Sequence, residues 1–261
     1  MPQEPGVQHD QFPDTAPSAI LARDRGFVGL VVTQFLGAFN DNLFKQILLL
    51  LFVAVPTASG NKDLQSVATF CFALPFILFS GVAGFLSDRF SKRRMIVACK
   101  IAEIAIMAIG MSMFAMYGRT GLNTSMVCLL AGVLFLMGAQ SAFFGPSKYG
   151  ILPEMLNDRL IPAANGFVLM TTFLAIIFGT AVAGELLVEF GSQLWIAGMI
   201  CVFIGIIGTG SSLFLPRVEP VFPELQLKSD HLAIPHEIRN ELRRDRGLLT
   251  AIMVSTFFWM A

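Results

Sequence analysis

An all-α membrane protein is the fold class this sequence predicts, and three observations carry the prediction. Of its 261 residues, 55% are hydrophobic and 14% charged, with a mean hydropathy of +0.70, whereas soluble domains hold about 45–50% apolar and about 25% charged residues. The apolar residues are gathered into stretches long enough to cross a bilayer, separated by short polar links. The 18 basic residues are distributed unevenly among those links. Leu, Phe and Ile runs of this length do not alternate as barrel strands must, which leaves helices as the spanning elements. A zero formal net charge gives no general attraction to nucleic acid.

The elements follow in order. Residues 1–22 contain Pro2, Pro5, Pro13 and Pro17 with scattered acids, the composition of a disordered cytoplasmic tail, and lack the basic segment before an apolar core that marks a signal peptide. A six-helix transmembrane bundle is expected over 23–215, with apolar segments near 27–55, 64–86, 95–117, 124–146, 163–189 and 193–215. Each reaches the roughly 20 residues that cross a hydrocarbon core about 30 Å thick. Residues 216–245 are expected to form a cytoplasmic central linker. It opens with Pro216, Pro220 and Pro223 and ends in HEIRNELRRDR, a candidate surface helix. Residues 246–261 begin a seventh span, within which the sequence stops at Ala261. Leu21–Gly26 (LARDRG) and Leu242–Gly247 (LRRDRG) agree at five of six positions, each just before a span. With the six-span block between them they indicate a duplicated six-helix unit.

Orientation comes from the basic residues. Fourteen lie in the N-terminal segment and the even-numbered links, and two, Lys62 and Arg119, in the odd-numbered ones. The positive-inside rule places the N-terminus in the cytoplasm, with Arg93 and Lys228 on that side and Lys62 outside.

Catalytic and metal chemistry find no foothold. Cys71, Cys99, Cys128 and Cys201 all fall in apolar stretches without a CxxC neighbour, and His9, His231 and His236 lie in polar segments, so neither a zinc site nor a disulfide framework is indicated. No Walker loop, GxSxG or HExxH is present. No cofactor is expected.

Polar residues inside the spans are the functional candidates, because a charge at mid-bilayer costs about 2.5–3.5 kcal/mol even on insertion scales. The first span, QFLGAFNDNLFKQ, carries Gln34, Asn40, Asp41, Asn42 and Lys45. Asp41 lies roughly 21 Å along the helix from Phe27 at 1.5 Å per residue. Gln34, Asp41 and Lys45 share one helical face. That face either lines a polar cavity or carries a structural Asp41–Lys45 pair. Lys100 and Glu103, one turn apart in the third span, are placed to pair, with Lys100 near enough to Arg94 to snorkel to the interface. Glu185 and Thr171, Thr172 and Thr180 mark the fifth span.

The link GFLSDRFSKRR (Gly84–Arg94) is expected to make a tight turn between two helices, with Asp88 and Arg89 locking their ends and Lys92, Arg93 and Arg94 as anchors. It resembles the major facilitator superfamily loop G-x-L-x-D-R-x-G-R-R. Gly84, Leu86, Asp88 and Arg89 match, Lys92 and Arg93 fit the basic pair, and Ser91 replaces the usual glycine. In that family the loop governs conformational switching. AFNDN, GPSKYGILPE (Gly145–Glu154) and AANG (Ala163–Gly166) are similar to the bacterial lysophospholipid transporter branch, with Asn40 in place of a common glycine.

The resemblance implies lysophospholipid movement between leaflets of the inner membrane by alternating access, with Asp41 and the loop lysine Lys148 at the headgroup. It also implies a partner C-terminal six-helix half, which would carry a further arginine, and, in some relatives, a fused acyltransferase and acyl-carrier-protein ligase. The substrate-binding candidates are therefore Gln34, Asn40, Asp41, Asn42, Lys45, Glu103 and Lys148, and the substrate a lysophospholipid or other small amphipathic molecule held among membrane lipids. Two other readings stay open: a small-solute or drug carrier driven by protons through Asp41 or Glu103, and a membrane anchor for fused lipid-modifying enzymes.

Overall fold

In a computed structural model of the chain, residues 17–53, 64–224 and 244–260 are described. Residues 1–16, Lys62, and the linker residues 225–243 with Lys228 lie outside the described residues. A short α1 (Pro17–Leu21) leads into α2 (Arg25–Val53), α3 (Leu64–Arg89), α4 (Lys92–Thr120) and α5 (Thr124–Gly150). After α6 (Leu152–Met155) come α7 (Ile161–Phe190), α8 (Trp195–Ser212) and α9 (Arg246–Met260), with single 3₁₀ turns at Asp158–Leu160 and Gly191–Gln193. Six of these segments are long and apolar enough to span a bilayer. The described residues form an all-α multi-pass membrane bundle, with α9 following it.

Several helices outrun their apolar cores. Backbone hydrogen bonding needs no apolar side chain, so α3 continues through Asp88 to Arg89 and α4 starts at Lys92. The expected tight turn shrinks to Phe90–Ser91, and Gly84 lies inside α3 rather than in a turn. A Cβ there would meet nothing within 4 Å. Likewise α5 runs to Gly150 with Pro146 inside it, so Lys148 sits in the last helical turn and not in a loop.

Helix starts are chemically marked. The Asn123 side chain accepts from Met126 N at 2.9 Å, opening α5. Asp24 Oδ1 accepts from Phe27 N at 2.7 Å, and Asp245 Oδ1 from Leu248 N at 3.0 Å. The LARDRG and LRRDRG segments thus do the same local work, each supplying the aspartate that caps a long helix.

The packing is two-fold in pattern. Helix α2 packs on α7 and α8, as α5 packs on α3 and α4, while α4 packs on α8. Exchanging α2, α3 and α4 for α5, α7 and α8 reproduces the same set of neighbours, the signature of a three-helix unit repeated within the bundle. Glycines set the closest crossings. At Gly179 of α7 a Cβ would stand 2.7 Å from the Phe39 carbonyl oxygen of α2, and at Gly138 of α5 it would run into the Phe72 carbonyl of α3.

Two apolar clusters cap the interior. One gathers Leu43, Phe44, Ile47 and Leu48 of α2 with Phe114 of α4, whose ring stacks on Phe44 at 4.9 Å. The other gathers Phe27 and Leu30 with Ile96, Ile151, Ala164 and Val168. Between them α2 presents Thr33, Gln34, Gly37, Asn40 and Asp41. The polar layer therefore lies in the middle of the bundle.

Candidate functional site

Helix α2 supplies the axis of that layer, and each polar residue on it finds a different neighbour. Asp41 Oδ2 accepts from the Ser141 hydroxyl of α5 at 2.5 Å, while Asp41 Oδ1 is buried without a partner. The same hydroxyl lies 3.0 Å from Gln140 Oε1. Gln140 Nε2 stands 3.5 Å from Glu103 Oε2. A line of polar atoms thus links the two interior carboxylates, Asp41 and Glu103.

Glu103 itself is the hub of a buried network. It is 2% exposed and Lys100 1%, and the two form an ion pair one turn apart on α4. Lys100 therefore stays in the interior and does not snorkel to the interface. Its alkyl chain and ammonium fit a slot left by two glycines. A Cβ at Gly37 would stand 2.9 Å from Lys100 Nζ, and one at Gly208 of α8 would stand 3.0 Å from Cε. Asn40, fully buried, donates to Glu103 Oε1 at 2.9 Å and to the Cys201 carbonyl at 3.1 Å. These bonds tie α2, α4 and α8 together.

Gln34 belongs to a second group nearer the basic end. Its amide donates to Thr171 Oγ1 at 2.7 Å and to the Val168 carbonyl at 3.1 Å. Its Oε1 accepts from Thr172 Oγ1 at 2.9 Å and lies 3.5 Å from Lys148 Nζ. Lys148 also rests 4.9 Å from the Tyr149 ring centroid and 5.9 Å from that of Phe144.

Lys45 and Asn42 stand apart. The Lys45 ammonium sits 5.0 Å over the Phe72 ring of α3 and forms no ion pair with Asp41. Among the described residues the ion pairs are Lys100–Glu103 and Lys92–Glu154. The structural Asp41–Lys45 pair is therefore absent, because the two side chains turn toward different helices. Asn42 donates to the Ala38 carbonyl of its own helix at 2.7 Å and faces Gly179 of α7.

At the α3–α4 link, Lys92 is buried and paired with Glu154, and Arg93 donates to the Leu213 carbonyl at 2.9 Å. Asp88 and Arg89 are exposed. The Arg89 guanidinium lies over Phe85 and Phe90 at 5.9 and 5.6 Å, so the expected lock by these two side chains is not made among the described residues. Sequence reasoning missed Ser141 and Gln140, though a polar pair inside the otherwise apolar fourth span was the available signal. It also missed Gly208, whose role depends on what packs against it.

A family model described as Major Facilitator Superfamily matches residues 28–261. The chain is similar to the lysophospholipid transporter LplT of Photorhabdus laumondii, 29% identical over 201 residues, covering 76% of this chain and 44% of that protein. It is similar to the protein of the same name from Salmonella arizonae, again 29% identical, over 205 residues, with 76% and 45% covered. The chain thus spans about half the length of the curated relatives it matches.

Proposed function

The chain belongs to the Major Facilitator Superfamily, a family of membrane transporters, and from that premise we propose that it forms the first helical bundle of a lysophospholipid transporter. The observation that supports this most is the placement of two opposite charges in one interior layer. Asp41 keeps one oxygen unpartnered, and Lys148 reaches the same layer from α5 through Gln34. The two contact points on α2, Asp41 and Gln34, are seven residues apart, about 10 Å along the helix. A zwitterionic headgroup has complementary chemistry. Its ammonium is drawn to the Asp41 carboxylate and its phosphate to the Lys148 ammonium, each through a charge-assisted hydrogen bond. Gln34, Thr171 and Thr172 orient Lys148. Glu103, Asn40 and Lys100 hold the helices that carry the site, while Lys45 over Phe72 supplies a second cation farther along α2.

In this reading the bundle faces a second six-helix bundle, and the pair rock about the midplane site so that it opens to each side in turn. The α3–α4 link is the switch, with Gly84 presenting an open helix face, Asp88 and Arg89 exposed to a moving partner, and Lys92 and Arg93 anchoring the link to its own bundle. The distribution of basic residues supports a cytoplasmic N-terminus, and the similarity to bacterial lysophospholipid transporters supports a location in the bacterial inner membrane.

The line Asp41–Ser141–Gln140–Glu103 favours a second reading, a proton-coupled carrier of a small solute. Uptake of labelled lysophosphatidylethanolamine into proteoliposomes holding the complete transporter separates the two. Saturable lipid uptake that free glycerophosphoethanolamine does not displace supports the lipid reading. Absence of lipid uptake alongside pH-driven uptake of a soluble solute overturns it.

A further inference from the structure

A second polar site lies away from the interior layer, at the basic end of the bundle. The segment after α8 folds back beneath the α3–α4 link and is fastened there by three hydrogen bonds. Ser91 Oγ donates to the Val218 carbonyl at 2.7 Å, Arg93 to the Leu213 carbonyl at 2.9 Å, and Phe222 N to the Asp88 carbonyl at 3.1 Å. The fold-back borders an open pocket of about 610 Å³ whose lining includes Ser91, Arg93, Arg94, Arg217 and Glu219.

Three arginines thus line the pocket with one acidic residue. Lys92, the next basic residue, is committed to Glu154 and takes no part. Two features mark the pocket as short of an acceptor. Arg93 has a buried Nε with no hydrogen-bond partner. Ser91, at the N-cap of the 29-residue α4, makes no side-chain capping bond; its hydroxyl instead donates to the Val218 carbonyl. The first-turn amides of α4 therefore add their positive end to the arginines. Around this pocket the chain exposes large apolar side chains: Phe90, Leu213, Phe214 and Phe222 are 44%, 55%, 69% and 56% exposed. A cationic pocket beside exposed apolar groups is the arrangement that meets a lipid at the boundary between headgroup and acyl chain.

We propose that this pocket binds the phosphate of an anionic phospholipid headgroup, with Arg93, Arg94 and Arg217 as its ligands and the exposed phenylalanines against its acyl chains. The site is separate from the transport site and does not rest on the transport reading. Phosphate chemistry is shared by free phosphate, but only the lipid uses the apolar rim. A bound lipid would brace the 213–222 segment against the α3–α4 link.

The test is calorimetric titration of the purified chain, in uncharged detergent at low salt, with dioctanoylphosphatidylglycerol, dioctanoylphosphatidylcholine and inorganic phosphate. Phosphatidylglycerol is expected to bind at least about tenfold tighter than either comparison. Arg94→Gln with Arg217→Gln, both at exposed positions, should weaken it about ten- to a hundredfold, as expected for lost charge-assisted hydrogen bonds. Glu219→Gln should tighten it, because it removes the one opposing charge in the pocket. Equal binding by the double variant and the parent overturns the proposal, as does phosphatidylcholine matching phosphatidylglycerol. Inorganic phosphate matching the lipid also overturns it and makes the pocket a soluble-anion site. Should the double variant fail to give monodisperse protein, Glu219→Gln decides: unchanged affinity overturns the proposal.

Discussion

Asp41 and Glu103 are both carboxylates in the middle of the bundle, yet their surroundings give them different work. Glu103 has Lys100, Asn40 and Gln140 around it, so its charge is satisfied within the fold. Asp41 has one hydroxyl and an orphan oxygen, so its charge is available to a ligand. Asp41→Asn is therefore expected to weaken lysophosphatidylethanolamine transport about ten- to a hundredfold with little change in yield or Tm. Lys45, its nearest basic neighbour in sequence, rests on Phe72 and loses no ion pair. A fall in thermal stability that Lys45→Gln repairs would instead make Asp41 structural. Glu103→Gln strands the Lys100 ammonium in its glycine slot, and breaking a buried pair in this way costs about 3–5 kcal/mol. Thermal unfolding in detergent should show a large loss for Glu103→Gln, and a Tm equal to the parent's would contradict the hub role.

The helices depend on a few positions where side chains are missing or end-groups are capped. At Gly138 any side chain meets the Phe72 backbone, whereas at Gly132 of the same helix a Cβ meets nothing within 4 Å. Gly138→Val should force α5 away from α3 and destabilise the bundle by about 1–3 kcal/mol or more, with Gly132→Ala within about 0.5 kcal/mol of the parent. Unfolding midpoints of the two variants decide this, and equal midpoints would show that the crossing is not close-packed. Asp24 is the corresponding device at a helix end. Removing its cap on Phe27 N as Asp24→Ala should cost about 0.5–2 kcal/mol, a smaller loss confined to the start of α2. The shared capping bonds at Asp24 and Asp245 give the Asp-Arg-Gly common to both segments a local cause.

At the scale of the whole molecule the prediction concerns sidedness. Arg94 and Arg119 lie at opposite ends of α4, and the distribution of basic residues puts the first inside and the second outside. In a cysteine-free background, Arg119→Cys should label from intact cells with a membrane-impermeant reagent and Arg94→Cys only after permeabilisation. The reverse pattern would invert the topology. Transport itself is expected to need more than residues 1–261. A rocking mechanism requires a second bundle, and the relatives are about twice as long as the matched region. Vesicles holding residues 1–261 alone should take up no lysophospholipid, and full-rate uptake would show that this bundle works without a partner half.

The sequence by itself determined that the chain is helical and crosses the membrane several times, because lipid admits only apolar helices of a minimum length and that requirement is written in composition. It also singled out Gln34, Asn40, Asp41, Lys100 and Glu103, since a polar residue in an apolar run is visible without coordinates, whereas Lys148 was marked only by the family resemblance of its segment. Where those residues point was not legible. A helical face is wide enough for Asp41 to meet Ser141 of α5, Lys45 to lie on Phe72 of α3, and Gln34 to bond Thr171 and Thr172 of α7, and sequence spacing alone does not say which helix stands opposite. Helix ends were misjudged at the α3–α4 link and at Lys148 for a related reason: backbone hydrogen bonds continue past the last apolar residue. The slot formed by Gly37 and Gly208 around Lys100, and the meeting of Arg93 and Arg94 with Arg217, which lies more than 120 residues later in the chain, exist only once distant helices pack. Partners across the bundle are a property of tertiary contact, and only the folded structure decided them.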